Sequence, residues 1–498
     1  MNVNPITRLD YPDPDVIRVE DTYYMVSTTM HFMPGCEILQ SFDLVHWEHA
    51  TYVYETLDHT DAQQLKSGQN IYGQGMWAAS LRYHEGRFYI CFVANDTRKT
   101  YLYTSEKIDG PWKKQLIEGF YHDGSLLFDE DGRNYIVYGN DEIWITELNE
   151  DLTAPKKDGL HRLLVSDHKN PELGYEGSHI QKINGYYYIF LIHSLRDRWM
   201  RTEACFYSDS LEGEFTGGDV LCDDRGYCGQ GVAQGGIVDT PDGKWYAMLF
   251  QDSGAVGRIP ILLPVTWKDH FPVFGQNGHV PEEIEVHSTR PGYIYQPLVG
   301  SDDFCNGLLP RWQFNHDPDP QYYHLDALQG TYTITTREVC TELTQAVNTL
   351  TQRMSYPSCA AEVTVDASAL KEGDVAGLCA FQGCYAAVGI TKHHGKYEVL
   401  MLDKKEDGIL DITEGTVVES HQMDFRLEAD FCNMKDEARC YYRVNKGDWL
   451  PIGTVHKLYF KLDHFTGCRF GLFCYAAEET GGSACFRDFK YYDVDEIS

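Results

Sequence analysis

The sequence predicts an all-β protein in which a five-bladed β-propeller is followed by a β-sandwich. The first observation behind this prediction is a short aromatic motif that recurs five times in the first half of the chain. The second is the density of Gly, Pro and Asp between short apolar runs, without a convincing amphipathic helix longer than three turns in residues 1–290. The third is the alternation of apolar and polar residues from about residue 301 onward, where the motif has stopped.

The motif of the first half is a turn residue followed shortly by an aromatic residue and a tyrosine that open an apolar run. Its five copies end at Tyr24, Tyr89, Tyr135, Tyr188 and Tyr246, at steps of 65, 46, 53 and 58 residues. Asn134 is the one non-aromatic exception in these pairs. Each copy lies between two β-like segments joined by a turn, which predicts one hairpin per repeat. Repeats of roughly 50 residues with several strands each are typical of propeller blades.

A different pattern occupies the second half of the chain. Residues 290–297 have the composition of an extended, rigid join rather than of a flexible Gly/Ser linker. Alternating segments then follow, among them Gly330–Thr335, Ala361–Val365, Tyr397–Leu402 and Phe470–Tyr475. They predict an antiparallel β-sandwich. We therefore assign residues 1–295 to the propeller and residues 301–498 to the sandwich.

Composition narrows the class of partner and the compartment. The chain of 498 residues has a formal net charge of −33, which repels phosphate backbones and anionic lipids. We therefore expect neither nucleic acid nor a membrane as a partner. The N-terminal residues lack a signal-peptide pattern, and no apolar run of 18 residues follows them. The 15 cysteines form no CxxC pair, which favours free thiols and a cytoplasmic location.

Acidic residues recur at one position of the repeat, about twelve residues before each tyrosine. Counting back twelve gives Pro12 (with Asp13 next to it), Trp77, Asp123, Glu176 and Gln234. This position falls on the first strand of each blade, which lines the propeller axis. Equivalent positions converge on one end of the central channel, so the sequence predicts that Asp13, Asp123 and Glu176 meet in one pocket.

Three carboxyl groups in one pocket are suited to acid and base catalysis. Their mutual repulsion separates their pKa values, which can leave one group protonated while another is ionised. Glycosidic bond cleavage needs such a pair, because one carboxyl protonates the leaving oxygen while a carboxylate activates water. Two alternatives stay open at this point: solvated acids on a very acidic surface, and a calcium-binding cluster.

The residues around these acids resemble the motifs of glycoside hydrolase family 43. The matching segments, in the family's order, are Tyr11–Pro14, Gly73–Ala78, Asp123–Leu126 and Glu176–Ile180. The resemblance covers roughly residues 8–275. It implies that Asp13 is the general base that activates water and that Glu176 is the general acid. It also implies that Asp123 orients Glu176 and keeps its pKa high, and that the anomeric carbon is inverted.

The same resemblance suggests which side chains contact the sugar. Phe32 and Trp77 are candidates for stacking, with core packing as an equal alternative for Phe32. Arg258 matches a family arginine that contacts sugar hydroxyls, with a surface ion pair as its alternative. His179 suits a hydrogen-bonded core position and stays outside the catalytic set. Gln234 stands where many relatives have a histidine near a central metal or water, so we assign no metal ligand, expect no cofactor for the chemistry and leave a structural calcium open.

The two-domain layout resembles the family's β-xylosidases and α-L-arabinofuranosidases with a concanavalin-like C-terminal sandwich. In such members the sandwich often closes one side of the pocket, which implies exo cleavage of a short oligosaccharide, the expected partner. The product would be terminal β-D-xylose, α-L-arabinofuranose or both. An endo-arabinanase and a catalytically silent carbohydrate-binding protein are the alternatives. The pentose preference, a homo-oligomeric state and sugar binding by the sandwich stay open.

Overall fold

A computed structural model describes residues 2–413 and 415–493, and its first half is built from five four-stranded antiparallel sheets. We number these sheets blades 1 to 5 in chain order. Blade 1 has strands Asp15–Val19, Thr22–Val26, Gly35–Ser41 and Glu48–Tyr54. Blade 2 has Met76–His84, Arg87–Ala94, Lys99–Ser105 and Lys113–Ile117. Blade 3 has Ser125–Phe128, Asn134–Asn140, Glu142–Leu148 and His161–Ser166. Blade 4 has Glu176–Ile183, Tyr186–Ser194, Arg201–Ser208 and Thr216–Leu221, and blade 5 has Gly236–Asp239, Trp245–Asp252, Arg258–Lys268 and Phe271–Phe274.

The aromatic motif marks the second strand of every blade. All five repeat tyrosines lie on these strands, namely Tyr24, Tyr89, Tyr135, Tyr188 and Tyr246. The predicted hairpin per repeat is therefore the pair formed by the first and second strands of a blade. The fold class, an all-β protein with a five-bladed propeller, is confirmed. Among the described residues no helix is long and apolar enough to cross a membrane.

The propeller is closed by pairing between its two chain ends. Strand Asn2–Val3 runs antiparallel to Glu283–Ile284, which follows the last blade. The Asn4 side-chain amide then donates to the carbonyl oxygen of Leu262, on blade 5, at 2.8 Å. Both contacts hold the start of the chain against the end of the propeller half.

The Arg82 side chain joins the inner strands of four blades. From blade 2 its guanidinium donates to the Asp15 carboxylate of blade 1 at 2.8 Å and to Ser125 Oγ of blade 3 at 2.7 Å. It also donates to the Ile180 carbonyl of blade 4 at 3.1 Å. His179 Nδ1 lies 3.1 Å from the second Asp15 oxygen, so this histidine is a hydrogen-bonded core residue. Burial alone would raise the pKa of Asp15, but Arg82 and His179 hold it below its usual range.

The second half is a sandwich of two antiparallel sheets. The first contains, in spatial order, Leu410–Ile412, Lys396–Lys404, Ala386–His393, Asp374–Phe381, Arg469–Ala476, Leu350–Arg353, Gln313–Asn315 and Phe32–Met33, with Thr416–Val418 beside Lys396–Lys404. The second contains Tyr323–Asp326, Thr331–Thr335, Ser483–Asp493, Ser358–Asp366, Gln422–Asp430, Glu437–Arg443 and Leu450–Lys457. Apolar side chains such as Leu378 and Phe425 fill the core between them. The described helical segments are short 3₁₀ turns at Lys66–Gly68, Gly254–Val256, Leu343–Gln345 and Cys432–Met434.

Backbone and side-chain contacts fix the sandwich to the propeller. Strand Phe32–Met33 belongs to the propeller half of the chain but extends the first sheet of the sandwich, where it pairs with Gln313–Asn315. The Arg353 guanidinium of the sandwich lies 2.8 Å from the Glu37 carboxylate and 4.0 Å from the centre of the Tyr11 ring. All three of these side chains are buried. The two halves therefore share one continuous core.

Candidate active site

A cavity of about 630 Å³ lies at the end of the propeller where the innermost strands begin. Its propeller wall includes Trp77, His122 and Glu176. The opposite wall comes from the sandwich and includes Phe460 and Phe465. The sandwich thus covers one side of the space in front of Glu176. An exo-acting pocket requires this kind of wall.

Asp13 is held at the start of blade 1 by two hydrogen bonds. Its Oδ2 accepts from the Thr28 hydroxyl at 2.6 Å, and its Oδ1 accepts from Arg258 Nη1 at 2.9 Å. The carboxylate is buried, and the residue has a φ of 52°. Aspartate tolerates this left-handed conformation better than most residues, and such positions often occur at functional sites. One cation and one hydroxyl therefore stabilise a negative charge on Asp13.

Asp123 lies just before the first strand of blade 3, and it reaches the backbone next to Glu176. Its Oδ2 accepts a hydrogen bond from the Gly177 amide at 3.1 Å. Burial raises its pKa to about 6, with further upward contributions from the carboxylates of Glu176 and Asp13, against a lowering contribution from His122. Glu176 and Asp13, which share a repeat position with Asp123 in the sequence, are thus close enough to affect the ionisation of Asp123.

Glu176 is the first residue of the inner strand of blade 4 and lines the cavity. Its Oε2 accepts a hydrogen bond from the Asn140 side-chain amide at 2.6 Å. This bond engages one of the two carboxyl oxygens and leaves Oε1 available to a ligand. Asp123 fixes the backbone of the following residue, so the carboxyl group is held both at its tip and at its base.

His122 is the cationic neighbour of the two carboxylates on this side of the site. Its Nε2 lies 3.6 Å from Asp123 Oδ2 and 3.5 Å from Glu176 Oε2. The charge of Asp123 raises the pKa of His122 to about 9, against burial and with help from Glu176. An imidazolium is therefore the form of His122 at neutral pH. Sequence reasoning missed this residue, although it directly precedes Asp123.

The residues predicted to contact sugar fall into two groups. Trp77 lines the cavity, where its ring lies 5.6 Å from that of Phe465. Arg258 is buried, and its guanidinium lies 4.1 Å from the centre of the Phe465 ring, so it is no surface ion pair. Phe32, in contrast, is fully buried beneath the Arg469 guanidinium at 3.5 Å and is not among the cavity residues. Phe32 therefore occupies the core position that the sequence left as its alternative.

Gln234 occupies the corresponding place before the inner strand of blade 5. Its side-chain amide lies against Gly177, where an added Cβ would come within 2.2 Å of the Gln234 oxygen. Gly177 has a φ of +66°, so glycine is required here for both space and conformation. Gln234 thus supports the backbone that follows Glu176.

A metal-ligand group can be drawn from the same acids. His122, Asp123 and Glu176 each place one ligand atom within 4.8 Å of the other two. A metal binds the neutral form of histidine, so a cation held here would displace the proton of His122.

Sequence reasoning also missed the residues that reach the site from other elements. Asn140 and Thr28 hold two of the acids, but they lie outside the repeat position that identified those acids. Phe460 and Phe465 come from the sandwich, nearly 300 residues after Glu176 in the chain. Such distant wall residues have no local sequence signal, because only the packing of the two domains brings them to the cavity.

Comparison with known proteins gives matches over both halves of the chain. A family model described as glycosyl hydrolases family 43 matches residues 3–272, and one described as the β-xylosidase C-terminal concanavalin A-like domain matches residues 301–492. A β-xylosidase of Formosa agariphila is 26% identical over 99% of this chain and 89% of its own length.

Two solved structures extend this likeness to the whole fold. One, a bifunctional GH43-CE protein of Bacteroides eggerthii, is 42% identical with a TM-score of 0.93 over the full length of this chain. This chain spans 64% of that larger chain. The other is an engineered GH43 glycoside hydrolase with endo-xylanase and exo-arabinofuranosidase activity. It is 27% identical, with a TM-score of 0.88 over 99% of both chains.

Proposed function

The chain belongs to glycoside hydrolase family 43, and from that premise we propose that it releases terminal pentose units from short oligosaccharides. The sugars released are β-D-xylose, α-L-arabinofuranose or both, and the substrates are xylo- or arabino-oligosaccharides. Glycosidases of this family need no cofactor for catalysis. The observation that carries the proposal is that Asp13, Asp123 and Glu176 lie close to one another, with Glu176 at the wall of the cavity.

Asp13 is the general base in this proposal. The bonds from Thr28 and Arg258 stabilise its negative charge and fix the direction of both carboxylate oxygens. A carboxylate held in this way takes a proton from water as that water attacks the anomeric carbon. Arg258 then neutralises part of the charge around the base. Its Nε and Nη2 have no hydrogen-bond partner within the described structure, so these N–H groups can donate to sugar hydroxyls.

Glu176 is the general acid. Asn140 occupies Oε2, which leaves Oε1 to carry the proton that passes to the leaving oxygen. Asp123 orients this group through the Gly177 amide, and its own carboxylate disfavours a second negative charge nearby. The acid thus starts the reaction protonated and ends it ionised, while Asp13 changes in the opposite sense.

The reaction is a single displacement with inversion. Water attacks the anomeric carbon from the Asp13 side, the glycosidic bond breaks, and the leaving oxygen takes the proton of Glu176. In such enzymes the base and the acid stand about 6.5–9.5 Å apart, which leaves room for the attacking water. Both acids return to their starting forms by exchange of protons with solvent.

The wall supplied by the sandwich supports exo cleavage. Phe460 and Phe465 of the sandwich line the cavity beside Trp77, so the sandwich restricts the path that a long polysaccharide could take across the blades. Xylopyranose and arabinofuranose present similar hydroxyl patterns to one small subsite, and this is why both sugars stay in the proposal. The Formosa agariphila β-xylosidase and the engineered exo-arabinofuranosidase each support one of the two.

The test is a product profile with two linear substrates, xylotetraose and α-1,5-linked arabinotetraose. We expect the first products to be the monosaccharide and the trisaccharide, as exo cleavage requires. Early appearance of the disaccharide would instead favour an endo-arabinanase or endo-xylanase. No hydrolysis of either tetrasaccharide, or of the p-nitrophenyl glycosides of both pentoses, would favour a carbohydrate-binding protein.

A further inference from the structure

A second charged group lines the cavity beside the three acids. Arg201, on blade 4, donates through Nη1 to the Asp252 carboxylate of blade 5 at 2.6 Å. The Arg201 guanidinium lies 5.5 Å from the centre of the Trp199 ring and 5.1 Å from that of Phe250. Trp199, Arg201 and Asp252 all line the same cavity as Glu176. None of the three takes part in the proposed proton transfers.

This pair leaves one donor and one acceptor without a partner. Arg201 is 9% exposed, and its Nε is buried without a hydrogen-bond partner in the described structure. The Oδ1 atom of Asp252 is also buried without a hydrogen-bond partner in the described structure. An unpaired buried polar atom costs about 1–3 kcal/mol, so such atoms are usually satisfied by a ligand or by water. A donor beside an acceptor matches two neighbouring hydroxyl groups, one of which accepts while the other donates.

The position of the pair indicates which part of the substrate it meets. The cavity is lined by Glu176 but not by Asp13. In an inverting reaction the acid contacts the leaving oxygen, whereas the base lies on the opposite face of the sugar that is released. The part of the cavity that holds Arg201 and Asp252 is therefore on the side of the leaving group.

The pair is balanced in charge, and an exposed aromatic ring lies beside it. The positive charge of Arg201 is matched by the Asp252 carboxylate at 2.6 Å. Trp199 is 43% exposed, so one face of its indole ring is available for stacking against a sugar ring.

We propose that Trp199, Arg201 and Asp252 form the binding site for the leaving sugar and select a sugar with two adjacent free hydroxyls. This inference rests on the proposed function, because it takes Glu176 as the group that protonates the leaving oxygen. It narrows the preferred substrates to glycosides whose leaving group is a sugar with a vicinal diol rather than an alkyl or aryl alcohol.

The test compares two substrates that both need protonation of the leaving oxygen. Xylobiose has a leaving sugar with a vicinal diol, and methyl β-D-xylopyranoside has a leaving methanol without one. We expect Arg201→Met to lower the ratio of kcat/KM for xylobiose to kcat/KM for the methyl xyloside about 10- to 100-fold, because bonds to charged groups are lost. Asp252→Asn keeps an acceptor for Arg201, and we expect it to lower the ratio about 3- to 10-fold.

The control is Arg443→Met in the sandwich. Arg443 also donates to an aspartate, Asp424, at 2.8 Å, and it lies 4.3 Å from the centre of the Trp449 ring. It lies outside the cavity, so its loss should leave the substrate ratio within about twofold of the wild-type value. If Arg201→Met does not fold, the same substrate ratio is measured for Asp252→Asn and Trp199→Ala, and we expect it to be lowered in both.

The outcomes separate this inference from the proposed function. Equal loss on both substrates in the Arg201 and Asp252 variants, with an unchanged ratio, would overturn the inference and leave the proposed function intact. A wild type that cleaves neither xylosides nor the matching pair of arabinobiose and methyl α-L-arabinofuranoside would overturn the proposed function itself. If the wild type prefers arabinofuranosides, arabinobiose and methyl α-L-arabinofuranoside replace xylobiose and methyl β-D-xylopyranoside in the test.

Discussion

At the scale of single residues, the three acids are distinguished by the groups that contact them. Asp13 accepts from a cation and a hydroxyl, whereas Glu176 accepts from a neutral amide and has His122 Nε2 3.5 Å from its Oε2. Asp123 accepts from a backbone N–H and has its pKa raised to about 6 by burial and by its carboxylate neighbours. These partners support the proposed roles of base, acid and positioning group.

Loss of the general acid should depend on the leaving group. We expect Glu176→Ala to lower kcat/KM on xylobiose about 10²- to 10⁴-fold, because the sugar alkoxide cannot leave without a proton. On the 2,4-dinitrophenyl xyloside the loss should be at least about tenfold smaller, since that phenolate leaves unaided. Steady-state kinetics on both substrates check this. An equal loss on the two substrates would mean that Glu176 acts in binding or folding instead.

His122 should make stability depend on pH above neutrality. Its pKa is raised to about 9 in the folded protein by Asp123, from an ordinary value of 6.5. Its contribution to stability is therefore complete below pH 6.5 and is lost as the pH rises through about 9. Between these limits the wild type should lose about 1–3 kcal/mol of unfolding free energy relative to His122→Asn.

Urea unfolding of both proteins at pH 6, 7.5 and 9.5 measures this difference. The Arg443→Met variant serves as a control, because Arg443 lies outside the site and its replacement leaves the titratable groups of the site unchanged. Parallel pH curves for the wild type and His122→Asn would contradict the assignment of an imidazolium to His122.

At the scale of elements, the inner strands are held together by one arginine. Arg82 donates to groups on blades 1, 3 and 4, and Asp15 is almost completely buried beside it. Buried carboxylates in such a position need a cation that the protein or a metal supplies. Here the protein supplies it, so the axis of the propeller carries its own positive charge.

Arg82→Met should therefore destabilise the propeller strongly. Removing the partner of a buried charge costs about 3–5 kcal/mol, because Asp15 is left unpaired apart from His179. Denaturant unfolding measures the change, and calcium or a chelator should alter neither protein. Restoration of the variant by calcium, or destabilisation of the wild type by chelator, would show that a metal occupies the axis.

The repeat in the sequence predicted the blades because it recurs once in each blade. Each repeat tyrosine stands at a fixed place on the second strand of its blade, so its spacing is visible in the chain, and rings such as Tyr24 and Tyr89 pack against Phe88 and Phe128 of the next blade. The position of the acids followed from the same repeat. Arg201 and Asp252 were not predictable, because they lie on neighbouring blades and meet only when blades 4 and 5 pack together. Phe32 was ambiguous for a similar reason: only the docked sandwich shows that it is covered.

At the scale of the whole molecule, the interface between propeller and sandwich contains buried histidines. His31 of the propeller lies 5.0 Å from His316 and 5.8 Å from His464, measured between ring centres. Both ring nitrogens of His31 are buried and unpaired within the described structure. Burial, together with the neighbouring histidines, lowers the pKa of His31 well below 6.5, and burial lowers that of His464 to about 4. A proton at this interface therefore has no favourable partner.

The interface should weaken in acid. A histidine whose pKa is lower in the folded protein than in the unfolded chain makes its full contribution to stability above pH 6.5. This contribution is lost as the pH falls below 6.5, because the unfolded chain takes up the proton first. Relative to His31→Phe, the wild type should lose about 1–3 kcal/mol between pH 7 and pH 4.5. Thermal unfolding followed by calorimetry checks this. Equal slopes for the two proteins would refute the role of His31.

The shared core also bears on domain organisation. Since one propeller strand belongs to a sandwich sheet and Arg353 pairs with Glu37, both halves should unfold in one transition. The division at residues 295 and 301 stays a prediction, as does the cytoplasmic location. None of these follows from the geometry of the site.

The stereochemistry of the released sugar is the sharpest test of the roles assigned to the acids. Proton NMR of the first product from p-nitrophenyl β-D-xylopyranoside distinguishes the anomers before they equilibrate. With Asp13 as base and Glu176 as acid, the α-anomer of xylose should appear first, since water displaces the leaving group in one step. If the β-anomer appears first, the reaction passes through a covalent intermediate on a carboxylate, and Asp13 and Glu176 do not act as the base and the acid of a single displacement.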